Sequence, residues 1–196
     1  MTNKLDATAA LQAFDTANQA DPRRDIDEHG DAHPQEWLYG RRMSEMLARF
    51  CPEASLALQL AARAQHLERW VIPRDHYPRD RAGYLQWRNE LKQYHARRAA
   101  ELMTELGYDV TLIERVGSLL QKEQLKRDPE CQTLEDVICL VFLQYYFTAF
   151  AAAHEEEKIL DIVRKTWRKM SPAGQQAALT LTLDAAALAL IGKALA

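Results

Sequence analysis

The chain has 196 residues, 47% of them hydrophobic and 27% charged, with a net charge of −3 and only 7 Gly and 7 Pro. That length buries a substantial core in one domain, few turn formers argue against a many-stranded sheet, and the net charge argues against a constitutive nucleic-acid coat while leaving room for a local basic groove. Cys51, Cys131 and Cys139 lack metal-finger spacing and read as reduced thiols of a cytoplasmic protein.

The opening Met1-Thr2-Asn3-Lys4 has no apolar run of the signal-peptide kind. Helical spacing of Leu5, Ala9, Leu11 and Phe14 predicts a first helix ending at Asp21-Pro22. The polar stretch 23–33 reads as a loop. Pro34 suits the first turn of a second helix to about Phe50, and a third is predicted from Glu53 to about Trp70. Ile72-Pro73 and Tyr77-Pro78 force extended backbone before each proline, so 71–79 is a stiff loop. The longest helix is predicted over Asp80 to Leu106, closed by Gly107, and Asp109 caps a fifth to about Leu125. After a loop holding Asp128-Pro129, Thr133-x-x-Asp136 resembles a capping box opening a sixth helix to about Ala153. This one is apolar nearly all round and is expected at the centre. Helices over Glu155 to Met170, from Ser171-Pro172, and over Asp184 to Leu195 follow. Within the last, 185–191 is the most apolar stretch and too short to span a bilayer. The reading is an all-α, single-domain bundle of about eight or nine helices.

No glycine-rich phosphate loop, nucleophile elbow or His-Glu-x-x-His motif is present. His66 falls late in the third helix with Trp70 one turn on; alone, such a residue is more often a core or capping group than a ligand. Arg81, Arg88 and His95 recur at seven-residue steps and share one helical stripe. Guanidinium groups beside a histidine suit a phosphate or carboxylate, and a solvated charged face is the simpler alternative. Lys122 and Lys126 are neighbours one turn apart, or a solvated helix end. Asp136, at the third position of a capping box, satisfies backbone donors, but Glu135 can do the same, which leaves one of the two carboxylates to explain.

The runs Gln65-His66, Arg69-Trp70, Ile72-Pro73, Tyr77-Pro78, Asp80-Arg81-Ala82-Gly83-Tyr84 and Trp87-Arg88, with Asp128-Pro129-Glu130 and Leu134-Glu135-Asp136-Val137, resemble the domain-of-unknown-function family 4202 over almost the whole chain. The order of elements is also similar to the HD superfamily of metal-dependent phosphohydrolases, which are all-α and carry metal ligands on several helices. That resemblance implies His66, His95 and Asp136 as ligands of a divalent ion (Mn, Fe, Zn or Mg), with Tyr39 and Leu67 standing where the superfamily has its first histidine and the aspartate of its His-Asp pair. It implies hydrolysis of a phosphorylated small molecule or nucleotide, with Arg42, Arg69, Arg81, Arg88, Lys122 and Lys126 neutralising phosphate oxygens. The alternatives are an inactive module that binds an anionic metabolite or an acidic partner segment, and an adaptor anchored by Trp37, Trp70 and Trp87. No membrane partner is expected.

Overall fold

A computed structural model describes residues 7–125 and 127–196. Lys126 and the expected start of the first helix at Leu5 lie outside the described residues. The protein is mostly helical, 71% of it, with ten α-helices and one two-stranded sheet among those residues. In chain order these are α1 (Thr8–Asn18), β1 (Arg24–Ile26), β2 (Ala32–Pro34), α2 (Gln35–Phe50), α3 (Leu56–Arg63), α4 (Arg81–Glu105), α5 (Val110–Gln121) and α6 (Pro129–Val141). There follow a π-helical turn (Phe142–Tyr146), α7 (Phe147–Ala152), α8 (Glu156–Lys169), α9 (Pro172–Ala178) and α10 (Ala185–Leu195).

Most helix starts are set by short polar side chains that accept from orphan backbone N–H groups. The Asp80 side chain accepts from Gly83 N at 2.7 Å, Asp109 from Thr111 N at 2.9 Å, and Asp184 from Ala187 N at 2.8 Å. Gly107, at φ +77°, closes α4 as expected, because this backbone region carries no steric cost without a Cβ.

Three expectations change. The stretch 23–33 is not all loop: Arg24, Asp25 and Ile26 pair antiparallel with Pro34, His33 and Ala32. The third helix is shorter than its apolar pattern, running only from Leu56 to Arg63, with Ser55 as its cap. Glu68 adopts a left-handed backbone, φ 51°, and turns the chain into a short 3-10 segment over Arg69–Val71. The sixth helix starts at Pro129, where Asp128 accepts from Glu130 N and Cys131 N, so Thr133 and Asp136 lie inside it and cap nothing there. Proline at the first helical position and an aspartate before it outweigh the capping-box pattern four residues on.

The core collects side chains from most helices. Phe14, Met43, Leu60, Leu67, Met103, Leu119, Leu134 and Phe147 are all fully buried. Each such side chain stabilises the fold by roughly 1.5–3 kcal/mol. The continuous helical run 129–152 is central, as its composition foretold, and is long and apolar enough to cross a membrane, half of its most apolar window being buried. It, rather than 185–191, is the most extended apolar segment.

Candidate anion-binding site

The N-terminus of α2 supplies the first pieces. Asp21, buried, accepts from Glu36 N at 3.1 Å and from Arg23 through Nε and Nη2, both at 3.0 Å. Arg23 Nη2 also donates to Glu36 Oε1 at 2.7 Å. The other oxygen, Oε2, lies 3.0 Å from His66 Nδ1. Tyr39, one turn along α2, stacks on the His66 ring with centroids 3.8 Å apart and planes 11° apart.

His66 is held by the chain reversal that follows α3. The Asn18 side chain bridges that reversal to α2, its Oδ1 accepting from Glu68 N at 2.8 Å and its Nδ2 donating to Glu36 O at 3.2 Å. The left-handed turn at Glu68 brings Arg69 back toward the ring, where its Nη1 donates to His66 Nε2 at 3.2 Å. A guanidinium can only donate, so Nε2 is the acceptor and the proton of the neutral ring sits on Nδ1, facing Glu36. Burial, with Arg69, Arg88 and Lys122 nearby, keeps the His66 imidazole well below its ordinary value, consistent with that tautomer.

Helix α4 lays three further groups beside this pair. His95 is buried, its Nδ1 2.7 Å from Leu67 O and its ring centroid 6.2 Å from that of His66. Burial first, then His66, pushes its pKa down to about 3. Its Nε2 has no hydrogen-bond partner among the described residues. Arg88, two turns earlier, is half-buried and donates to Tyr84 Oη at 3.2 Å. Lys92, one turn on from Arg88, is also half-buried, and burial together with Lys122 and Arg88 lowers its pKa.

Lys122 closes the cluster. It is the second non-glycine residue with a left-handed backbone, φ 57°, at the end of α5. Such a conformation costs about 1 kcal/mol, and here it delivers the ammonium into a buried ion pair with Glu135 of α6. Burial opposes the charge of Glu135, but Lys122 and Lys169 more than offset this and its pKa is lowered. Lys169 stands 4.0 Å from the same carboxylate.

The cations of this cluster are unequally matched. Arg23 is neutralised by Asp21 and Glu36, and Lys122 by Glu135. Among the described residues, no carboxylate pairs with Arg69, Arg88 or Lys92. Arg69 instead lies over the Trp87 ring, 4.6 Å from its centroid, and Arg88 over Tyr84 at 5.9 Å. Three half-buried cations outside any close ion pair, beside neutral imidazoles, form a place where an anion is attracted.

The site residues expected from sequence separate into two groups. His66, His95, Arg69, Arg88 and Lys122 come together. Arg42, Arg81 and Asp136 do not join them. Arg42 is buried against the hairpin, donating to Asp25 Oδ2 (3.0 Å), Ile26 O (3.0 Å) and Tyr146 Oη (3.1 Å). Arg81 is exposed at the first residue of α4. Asp136 faces α9: Oδ1 accepts from Ser171 N at 2.7 Å and Gln132 Nε2 at 3.1 Å, and Oδ2 from Ser171 Oγ at 2.5 Å. Glu135 and Asp136 are adjacent on a helix and diverge by about 100°, which is why one serves the cluster and the other anchors a neighbouring helix.

As arranged, His66, His95 and Asp136 do not fit a divalent ion. Both nitrogens of His66 and both oxygens of Asp136 are engaged, and only Nε2 of His95 is free. No group of three or more His, Cys, Asp or Glu poised to hold a metal occurs among the described residues. Sequence reasoning missed Glu36, Lys92 and the partner role of Glu135. Lys92 had a signal, lying one turn beyond Arg88 on the same stripe; Glu36 had none.

Fold and cluster together define a helical protein with a candidate anion site built from α2, α4, α5 and the turn after α3. The chain belongs to the family described as Domain of unknown function (DUF4202), whose model matches residues 8–191. No curated protein and no solved structure matches it.

Proposed function

We propose that this protein is an HD-like helical module that binds a phosphorylated or otherwise multiply anionic small molecule directly on Arg69, Arg88 and Lys92, without a bridging metal. One observation carries the reading: among the described residues none of these three half-buried cations is closed into a direct ion pair, Arg69 and Lys92 feeling Glu36 and Glu135 only at longer range, whereas Arg23 and Lys122 beside them are each paired with one of those carboxylates. The guanidinium forks supply paired donors for phosphate or carboxylate oxygens. Lys92 adds a point charge, and the Lys122–Glu135 pair lies near it. Three free cysteines, two of them buried, support the expected reducing, cytoplasmic setting.

The metal-dependent phosphohydrolase implied by the superfamily resemblance keeps one supporting observation. His95 directs Nδ1 to a backbone carbonyl and leaves Nε2 buried without a partner, the orientation that metal-bound imidazoles adopt. A second donor requires His66 to release Arg69 or Glu36.

Calorimetric titration with inorganic pyrophosphate, with and without a chelator, tests the proposal. Binding is expected to be unaffected by chelation and weakened at least roughly tenfold in Arg88→Ala, the loss of one charged hydrogen-bonding partner. Loss of pyrophosphate binding on chelation, restored by Mn or Zn, would overturn the metal-free reading.

A further inference from the structure

The basic residues of this chain are not spread evenly. Residues 69–98 hold eight Lys and Arg against three Asp and Glu, a local charge of +5 in a chain whose total is −3. On the surface formed by this stretch, guanidinium groups and aromatic rings alternate. Arg69 lies over Trp87 at 4.6 Å; Arg74 lies 5.9 Å from Trp87 and 6.0 Å from Tyr84; Arg88 lies 5.9 Å from Tyr84. The two rings are themselves 6.0 Å apart. Tyr84 is 42% exposed, and Arg81 is exposed just N-terminal to it. The row begins at Arg69 and Arg88, which belong to the anion site, and runs outward from there.

We propose that this face binds single-stranded nucleic acid, with a terminal phosphate in the Arg69–Arg88–Lys92 site and the adjoining base on Tyr84. The inference rests on the anion-binding reading above and specifies its ligand. Aromatic rings interleaved with arginines provide stacking surfaces for bases together with charge for the backbone, and every base offers a π-face. An acidic peptide uses the charges but has no need of the rings. A duplex hides the base faces that Tyr84 would take. The acidic remainder of the molecule repels the strand elsewhere and so confines it to this one face.

Fluorescence anisotropy with a labelled ten-nucleotide single strand, run beside calorimetry with pyrophosphate, tests the proposal. A 5′-phosphorylated or 3′-phosphorylated strand is expected to bind more tightly than the same strand with both ends unphosphorylated, and more tightly than its duplex. Affinity should fall with salt, at a log–log slope of about −0.7 for each phosphate neutralised. Tyr84→Ala is expected to weaken strand binding by roughly fivefold to a hundredfold, the range for loss of one stacked base. Tyr84→Phe, which keeps the ring, should retain strand affinity. Three outcomes overturn the proposal: pyrophosphate binds but strands do not, polyglutamate binds as tightly as the strand, or Tyr84→Ala weakens pyrophosphate and strand equally. In the first of these the anion site stands; if neither ligand binds, both readings fall.

Discussion

Replacing Asp136 with alanine separates a structural role from a ligand-binding one, because this residue is the one expected ligand that faces away from the cluster. Its carboxylate is buried and accepts from Ser171 N at 2.7 Å, Ser171 Oγ at 2.5 Å and Gln132 Nε2 at 3.1 Å. The Ser171 hydroxyl in turn accepts from Gly174 N at 3.0 Å, so one carboxylate organises the start of α9. Hydrogen bonds to a charged group contribute about 1.5–3 kcal/mol each, and a buried N–H left unpaired costs about 1–3 kcal/mol. These terms overlap, and a loss of about 3–5 kcal/mol is expected, as for other buried charged networks broken on one side. At this chain length that lowers the melting temperature by roughly 10 °C. Denaturant unfolding followed by circular dichroism measures the stability, and pyrophosphate calorimetry below the transition measures the site. The expected result is a large loss of stability with ligand affinity unchanged. Wild-type stability together with abolished ligand or metal binding would refute the assignment of Asp136 to α9.

Gly174→Ala should act on the same joint, since a Cβ there would sit 2.6 Å from Asp136 Cγ; a loss of about 1–3 kcal/mol is expected in the same unfolding assay. Stability should also fall with acid. The folded value of His95, about 3, lies below its ordinary 6.5, so the neutral-imidazole contribution is complete above pH 6.5 and is lost as pH falls toward 3. Between pH 6.5 and pH 5 this amounts to about 2 kcal/mol, with His66 adding in the same direction, and His95→Gln should flatten the dependence. Glu135→Ala strands a buried ammonium and should cost about 3–5 kcal/mol, whereas adding Lys122→Ala recovers part of the loss; a double-mutant cycle with no coupling would refute the buried pair.

Helix positions were legible from sequence wherever a cap and a periodic pattern agreed. Asp80, Asp109, Ser171 and Asp184 each accept from the expected first turn. They were misread where two signals competed, as at Asp128-Pro129 against Thr133-x-x-Asp136. The end of α3 was hidden because Ala64 to Leu67 keeps an apolar helical pattern while Glu68 takes a left-handed backbone that no glycine announces. Of the stripe Arg81, Arg88 and His95, helical geometry brings Arg88 and His95 to the cluster, whereas Arg81, exposed at the first residue of α4, stays outside it. Glu36 and Glu135 were not legible, because their roles depend on which helix lies opposite. Such pairing is a property of the assembled bundle, and one-dimensional spacing carries no record of it.

The π-helical turn at Phe142–Tyr146 adds one residue to an otherwise regular helix. That extra residue sets the angular phase of everything after it. It presents Tyr146 to Arg42, and Tyr146 also lies 6.0 Å from Tyr39, the residue stacked on His66. Deleting one residue from the turn would leave a smoother helix, but would rotate α7 by about 100°, taking the packing of Phe147 and the bracing of Tyr39 out of register together. In this protein, the irregular helix is the one whose timing along the chain lets the core and the histidine face be built at once.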